Sequence, residues 1–475
     1  MAQFSEDPQT LTISKTDFKL YLEAPRHLWA IKHGHSLPPM DAMGGLLSKQ
    51  GYQVESLGRA YLQQQYLEKV QEMRWQETFS LGRFTARVDA LMPVGDGWAL
   101  VEIKSSTKVD KDDLDDVAFQ AMVLAGNLPV SRFFVLHLNK DYIRTGALEL
   151  ESLFVLEDVT EDVRAVLPAI ADLAAGAKAA AESADHHGAP GCLVPKDCPF
   201  PELCHPNLPE YSIFDLPSIS PKQKMAYIAE GKIDIRTIDL PGKLTDKQLT
   251  VARAMQTREP LIAMCEIQRF LDGLAWPLYF LDYETCIHAI PSHEGFSPQQ
   301  DIVFQYSLHT LYTDGRLEHC QFLDLDGEDP TQRLTTALMV DIGTEGSILT
   351  WNKRFEMRQN ARMGERHPQY AAFYADLNDR IIDLGDVVSK SWLVYPEFRG
   401  SWSLKKVLPV LAPHLSYAEM PINEGGKASE AWWRCAYEAI TTSERAGLEE
   451  QLLAYCHLDT LAMVEIYQVL RKLTQ

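Results

Sequence analysis

Apolar residues recur at two kinds of spacing in the first third of the chain. Helical spacing runs through 16–33, 47–70 and 113–124, whereas alternating or continuous apolar positions occupy 77–92, 98–105 and 133–138. The first pattern indicates amphipathic helices and the second indicates strands. The order of helices and strands predicts an α/β domain.

The rest of the chain divides by composition. An Ala-rich helix is predicted over 163–184, and a segment rich in Gly, Pro and Cys follows over 186–209. Apolar strands are predicted at 278–281, 302–311, 317–323 and 347–351, and the C-terminal part is mostly helical, which predicts a mixed sheet surrounded by helices. We therefore predict a first domain over 1–209, a helical linker over 210–272 and a second domain over 273–475.

Composition limits the class of protein. The 475 residues carry a formal net charge of -21, contain no long uninterrupted apolar run, and begin with a segment that lacks the basic and apolar regions of a signal peptide. The eight cysteines are poor evidence for a disulfide framework. We expect a soluble cytoplasmic protein without a membrane partner. The acidity argues against nonspecific coating of DNA, although a local basic track can still guide a strand.

A first group of charged residues follows the predicted strands of the N-terminal part. Asp89 lies near the end of one strand, and Glu102 and Lys104 are two residues apart on the next, so these two share a face. Two carboxylates can hold a divalent cation, and a lysine can orient a water molecule or stabilise phosphate charge. An isolated pair of this kind is usually a surface ion pair, but Gln120 on the following helix favours a site.

These residues resemble the catalytic motif of PD-(D/E)XK nucleases of the RecB and AddB type. The helical opening LTISKTDFKLYLEAPRHLW is also similar to theirs. The resemblance implies a restriction-endonuclease-like core in which Asp89, Glu102 and Lys104 are catalytic and Gln120 is a helix-borne site residue. It offers Glu55 as a weaker candidate for an upstream metal ligand.

Relatives of this type often carry an iron-sulfur cluster held by four cysteines. The resemblance implies that Cys192, Cys198 and Cys204 are three of the ligands, but Ala24 stands where the fourth cysteine is expected. A fourth ligand from His205, His27 or a non-protein group would suit iron-sulfur or zinc chemistry. The alternative is that the cysteines are small buried apolar residues.

A second group of acids is spread over the C-terminal part. Asp282 and Glu284 share one face of an apolar strand, Glu356 follows after Asn352, and Tyr455 and Asp459 are four residues apart on a helix. Four acids of this kind can hold two metal ions for phosphodiester hydrolysis, and a tyrosine can position the attacking water. Each of these short motifs, taken alone, is usually a pair of solvent-exposed side chains.

Together they resemble the DEDD exonucleases of the RNase H-like fold, in the branch that contains a tyrosine. The third acid departs from that pattern because Glu356 replaces an aspartate, and Asp383 is the second candidate for this ligand. Asn352, Lys405 and Lys406 are candidate nucleic-acid contacts, and His309 is expected to be a core residue. Segments such as FLDYET and GSWSLKKVLP resemble the domain-of-unknown-function 2779 family (DUF2779), in which a RecB-type nuclease precedes an RNase H-like domain.

The expected function is metal-dependent hydrolysis of DNA, from an end, by two separate nuclease sites that use Mg²⁺ or Mn²⁺. Such an enzyme would serve DNA repair, recombination or anti-phage defence. A ribonuclease of the same fold is one alternative, because a metal site does not itself distinguish the two nucleic acids. A catalytically weak nucleic-acid-binding accessory subunit is the other.

Overall fold

The computed structural model describes residues 11–69, 72–240 and 242–475. These residues form two units. The first holds the described residues up to Met40 together with Gly44–Asn207 and His288–Gln300. The second holds Asp41–Met43, Leu208–Ile287 and Asp301–Gln475. The predicted nuclease domains over 1–209 and 273–475 stay a prediction.

The first unit contains a five-stranded mixed sheet and a smaller sheet. Its strands are β1 (Ile13–Ser14), β2 (Arg74–Trp75), β3 (Thr78–Leu81), β4 (Phe84–Arg87), β5 (Ala90–Val94), β6 (Gly97–Ile103), β7 (Val130–Leu138) and β8 (Phe154–Asp158). Its helices are α1 (Lys15–Glu23), α2 (Pro25–Lys32), α3 (Ala42–Gln65), α4 (Lys111–Leu124), α5 (Leu150–Leu153), α6 (Thr160–Glu182) and α7 (Pro201–Cys204).

The larger sheet of the first unit has the order β2-β5-β6-β7-β8. Strands β5 and β6 pair antiparallel, and β6 pairs parallel with β7 after the chain crosses over through α4. A parallel neighbour requires such a crossover. Apolar residues of α4 and α6 pack with those of the sheet in one core. The ends of β5 and β6 are thereby held beside the buried face of α4.

The second unit contains another five-stranded mixed sheet and a two-stranded sheet formed by the first and last strands of the unit. Its strands are β9 (Leu261–Ile262), β10 (Leu278–His288), β11 (Gln300–Leu311), β12 (Leu317–Leu323), β13 (Ser347–Thr350), β14 (Ile381–Asp383) and β15 (Leu393–Val394). Its helices are α8 (Pro221–Ala229), α9 (Asp246–Thr257), α10 (Met264–Asp272), α11 (Thr331–Asp341), α12 (Lys353–Arg366), α13 (Ala371–Arg380), α14 (Asp386–Ser389), α15 (Leu404–Leu411), α16 (Gly425–Tyr437) and α17 (Thr442–Leu473).

Strand β10 is the middle strand of the five-stranded sheet of the second unit, whose order is β12-β11-β10-β13-β14. It runs parallel to β13, and β13 runs parallel to β14. Its side chains alternate between two cores: Leu278 and Phe280 pack with α17, whereas Leu281 and Tyr283 pack with residues of α11, α12 and α13. This alternation is the period of a strand buried on both faces.

The predicted α/β class with mixed sheets is confirmed at that level. The helical stretch predicted over 16–33 is divided in two, because the chain forms α1 and α2 with Ala24 in an extended conformation between them. Pro25 disfavours a helical conformation for the residue before it. Val70, the predicted end of the second helix, and residues 1–10, which bear on the signal-peptide expectation, lie outside the described residues. Within the described part, no helix combines the length and apolarity needed to span a membrane.

Candidate metal-binding carboxylate sites

The first carboxylate site lies at the ends of β5 and β6. Ala90 pairs with Val101 across the two antiparallel strands, which sets Asp89 beside Glu102. Asp89 lies just before β5, and its Oδ2 accepts a hydrogen bond from the backbone nitrogen of Ile103 at 2.9 Å. The expected pair of acids is therefore brought together by strand register.

Two lysines and a glutamine surround Glu102, whose side chain is almost fully buried. Its Oε1 accepts from Lys15 Nζ at 2.6 Å and lies 3.3 Å from Lys104 Nζ, and its Oε2 accepts from Gln120 Nε2 at 2.7 Å. Gln120 is 0% exposed, and within the described part of the chain its Oε1 has no hydrogen-bond partner. A buried amide oxygen without a partner is suited to a bound ligand or water.

Lys104 is held mainly by acids of α4. Its Nζ lies 2.6 Å from Asp116 Oδ2 and 3.4 Å from Asp113 Oδ1. Burial alone would lower the pKa of Lys104, but Glu102 and Asp116 raise it above its ordinary value. The lysine is therefore a cation at neutral pH and can stabilise negative charge.

The two acids of this site titrate in opposite directions. Burial raises the pKa of Asp89, and the Glu102 carboxylate raises it further. Burial acts in the same direction on Glu102, but Lys15 and Lys104 outweigh it and lower the pKa of Glu102. Glu55 on α3 joins this site through Gln76, whose Nε2 donates to Glu55 Oε1 and lies 3.3 Å from Asp89 Oδ1.

The second carboxylate site lies on the face of β10 that packs against α17. Asp282 and Glu284 continue the row of Leu278 and Phe280 beyond the apolar core. Each carboxylate offers an oxygen to a group with the sulfur of Cys456, and these ligand atoms lie within 4.8 Å of one another. The sheet thus places the first two predicted acids against the C-terminal helix.

Helix α17 contributes the last predicted motif. Tyr455 and Asp459 are both buried, and their spacing of four residues places them on the same face of the helix. Tyr417, which precedes α16, donates a hydrogen bond to Asp459 Oδ1 at 2.6 Å. The Tyr417 and Tyr455 rings are in edge contact, with centroids 6.1 Å apart. Two tyrosines therefore flank Asp459, of which the sequence predicted one.

Lys405 on α15 lies close enough to the acids for its positive charge to act on them. It lowers the pKa of Asp282, Glu284 and Asp459 and so opposes the effect of burial. Its Nζ lies 5.1 Å from the ring centre of Tyr455 and 5.6 Å from that of Tyr417. Burial lowers its pKa, although the acids oppose that shift. Lysine and aromatic faces at this distance attract each other.

The acids of the second site are crowded and buried. Burial raises the pKa of Asp282, and Asp459 raises it further. Burial also raises the pKa of Glu284, with Asp282 and Asp459 contributing in the same direction. Like charges in one low-dielectric site favour protonation or a bound cation.

Glu356 lies in the first turn of α12 and is 1% exposed. Burial raises its pKa, and the charge of Asp282 adds to the shift. Within the described residues, its Oε2 is buried without a hydrogen-bond partner. Asp383 instead caps α12, because its oxygens accept from the backbone nitrogens of Asn352 at 3.1 Å and Lys353 at 3.0 Å. Glu356 is therefore the better oriented of the two candidates for the third acid.

The other predicted contacts have different surroundings. Asn352 adopts a left-handed conformation at the start of α12, and Lys406 follows Lys405 on α15. His309 is buried, as expected for a core residue, and hydrogen-bonds to Thr460 through Nδ1 at 2.8 Å. His319 and His457 lie beside it, and Ser307 hydrogen-bonds to His319. This hydrogen-bonded cluster connects β11 and β12 with α17.

The cysteine segment of the first unit meets α2. The sulfurs of Cys192, Cys198 and Cys204 and one ring nitrogen of His27 lie within 4.8 Å of one another. His205 Nε2 lies 3.2 Å from Cys192 Sγ but is outside that group of four. His27 and His205 were both candidates for the fourth ligand from the sequence. In the structure, His27 is the histidine that lies in one group with the three cysteines.

Sequence patterns did not reveal several residues that complete these sites. They include Lys15 and Asp116 in the first site and Tyr417 and Cys456 in the second. Lys15 follows a serine that caps α1, so its place in a first helical turn was visible, but its partner 87 residues later was not. Tyr417 lies outside any periodic segment and carries no sequence signal.

Comparison with known proteins supports the resemblance to the DUF2779 family over one part of the chain. Residues 279–403 match the family described as Domain of unknown function (DUF2779), a span that holds Asp282, Glu284 and Glu356 and supports this family assignment. The chain is also 25% identical over 292 residues to "Uncharacterized protein UU173" of Ureaplasma parvum serovar 3. That similarity covers 56% of this chain and 42% of the relative, so the chain spans less than half of the relative's length.

Proposed function

We propose that the protein is a metal-dependent nuclease that hydrolyses phosphodiester bonds of DNA, with a PD-(D/E)XK-like site in the first unit and a DEDD-type exonuclease site of RNase H-like character in the second. The observation that carries the proposal is the convergence of Asp282, Glu284 and Asp459 in one buried cluster. A cluster of acids that remains largely uncompensated is costly unless it serves a cation.

The second site fits Mg²⁺ or Mn²⁺, which both prefer oxygen ligands. Asp282, Glu284 and Asp459 would hold the metal, and Glu356 would supply its unpartnered Oε2. Bound divalent ions would stabilise charge on the attacking and leaving oxygens of the phosphodiester. Tyr455 would position the attacking water.

Lys405 would attract the phosphate backbone to the second site, since its ammonium group lies among the acids and above two aromatic rings. Lys406 and Asn352 are proposed as further contacts of the strand. In the first site, Asp89 and Glu102 would hold a cation, Gln120 would orient Glu102, and Lys104 would stabilise charge on the phosphate.

The test is degradation of end-labelled DNA and RNA with the two sites disabled in turn. We expect Asp282→Asn to remove one activity and Asp89→Asn to remove a separable one. Each loss should be at least roughly a hundredfold, because even residues that support a metal ligand can cost 10–100-fold. Asp376→Asn is the matched control, since Asp376 is partly exposed and pairs with Arg380 at 2.8 Å.

The outcomes distinguish the alternatives. Degradation by the doubly substituted protein at the parental rate would refute the assignment. Tight binding of nucleic acid without cleavage in either Mg²⁺ or Mn²⁺ would instead identify an accessory binding subunit. Preferential degradation of RNA would identify a ribonuclease that uses the same sites.

A further inference from the structure

The three clustered cysteines and His27 have the chemistry of a closed metal site. We propose that Cys192, Cys198, Cys204 and His27 bind one zinc ion, as a Cys₃His site, in place of an iron-sulfur cluster. Three thiolates and an imidazole are a common tetrahedral ligand set for structural zinc. The proposal does not depend on nuclease activity, because it concerns the metal content of the first unit.

Distances between the donor atoms favour a single ion. All four donors lie within 4.8 Å of one another, and Cys198 Sγ is 3.5 Å from His27 Nε2. Around one zinc ion, with zinc-sulfur bonds of about 2.3 Å, tetrahedral ligand atoms stand roughly 3.7 Å apart. In a four-iron cluster each cysteine binds a different iron, so the sulfurs must stand further apart to enclose the irons and sulfides.

The residue at the expected position of a fourth cysteine agrees with this interpretation. Ala24 offers no ligand and lies buried at the junction of α1 and α2. Because Pro25 starts α2 directly after it, His27 falls in the first turn of the new helix. His27 is 2% exposed, and its Nε2 is directed at the cysteine sulfur.

Groups behind the ligands also suit a metal. Glu23 Oε2 lies 3.3 Å from His27 Nδ1, so a proton on Nδ1 leaves Nε2 free to ligate. Histidine ligands of metals usually donate their other ring nitrogen to a carboxylate, a backbone carbonyl or a water molecule. The neighbouring Arg26 donates to the carbonyl oxygens of Ala189 at 2.9 Å and Leu203 at 2.8 Å, which joins α2 to both ends of the cysteine segment. Its charge would also favour a site with three thiolates and one divalent ion.

The test is metal analysis of the full chain, purified without oxygen from cells supplied with both iron and zinc. We expect about one zinc per chain, no iron or acid-labile sulfide, and a colourless protein. Replacement of zinc by Co²⁺ should give the absorption spectrum of tetrahedral cobalt-thiolate coordination. Iron with sulfide in the parent protein would overturn the proposal, and so would a metal-free parent that takes up neither zinc nor cobalt.

Variants test the fourth ligand. We expect His27→Ala to weaken zinc retention against a chelating dye by at least tenfold, whereas His27→Cys should retain the ion through four thiolates. His414→Ala is the control, since the exposed His414 lies 3.7 Å from Glu465 and outside the group of four, and it should match the parent. Equal retention by His27→Ala and the parent would overturn the role of His27. If His27→Ala does not fold, the cobalt spectrum of His27→Cys provides the test. A spectrum equal to that of the parent, with no contribution from an added thiolate, would also overturn the role of His27.

Discussion

Replacing one buried acid of the second site should stabilise the metal-free protein. Burial raises the pKa of Asp459 from 3.8 to about 6, even though Tyr417, Lys405 and Tyr455 act in the opposite direction. The ionised carboxylate is therefore less stable in the folded protein than in the unfolded chain. Asp459→Asn removes the charge and keeps an oxygen that can accept the hydrogen bond from Tyr417.

The size and sign of the effect follow from linkage. A rise of about 2 pKa units corresponds to about 3 kcal/mol, of which we expect about 1–3 kcal/mol after relaxation of the site. Below the ordinary value of 3.8 the carboxyl is protonated in both states and the parent carries no penalty. The parent loses stability as the pH rises from 3.8 through the folded pKa of about 6. The difference in unfolding free energy between Asp459→Asn and the parent should therefore grow between these two pH values and stay constant above them.

The measurement is thermal unfolding in EDTA at several pH values. At neutral pH we expect the midpoint of Asp459→Asn to exceed that of the parent by about 3–8 °C. Mg²⁺ or Mn²⁺ should raise the midpoint of the parent and have much less effect on the variant, because a ligand stabilises the state that binds it. Asp376→Asn, the partly exposed control, should stay within about 0.5 kcal/mol of the parent. A variant less stable than the parent at neutral pH, or a difference that does not change with pH, would refute the reasoning.

Two further substitutions test the supports of the sites. Lys15→Met should cost about 1–3 kcal/mol in urea unfolding, because it removes a cation 2.6 Å from the buried Glu102. Lys19→Met, whose half-exposed lysine pairs with a different acid, should cost less than about 1 kcal/mol, and equal losses would contradict the role given to Lys15. Gly346→Ala would bring a Cβ within 2.1 Å of the backbone oxygen just before β10, so we expect a loss of about 1–3 kcal/mol beyond that of Gly315→Ala. Both glycines have positive φ, but a Cβ at Gly315 would have no atom within 4 Å. Similar unfolding free energies for the two variants would show that the clash at Gly346 is relieved at no cost.

Local sequence patterns were sufficient to predict the acids because their spacing follows the geometry of strands and helices. Asp282 and Glu284 are two apart on β10, and Tyr455 and Asp459 are four apart on α17, so each pair shares a face whatever surrounds it. The mixed sheet followed from the apolar segments that surround these acids. The class of fold and the candidate acids could therefore be predicted from the order of residues along the chain.

Partners of these acids were not accessible because they depend on tertiary packing. Lys15 reaches Glu102 from 87 residues away, and Tyr417 reaches Asp459 from a segment without helical or strand period. The identity of the fourth ligand of the cysteine group could not be predicted for the same reason. His27 and His205 were equivalent candidates in the sequence, and the break between α1 and α2 at Pro25 directs the first of them to the sulfurs.

The two carboxylate sites differ in how their charge is balanced without metal. Glu102 has Lys15 at 2.6 Å and Lys104 at 3.3 Å, and its pKa is lowered, so this acid of the first site is already charged and held in place. At the second site burial lowers the pKa of Lys405, and those of Asp282 and Glu284 are raised. Divalent cations should therefore stabilise the second unit more than the first, because there they replace repulsion between acids instead of competing with lysines.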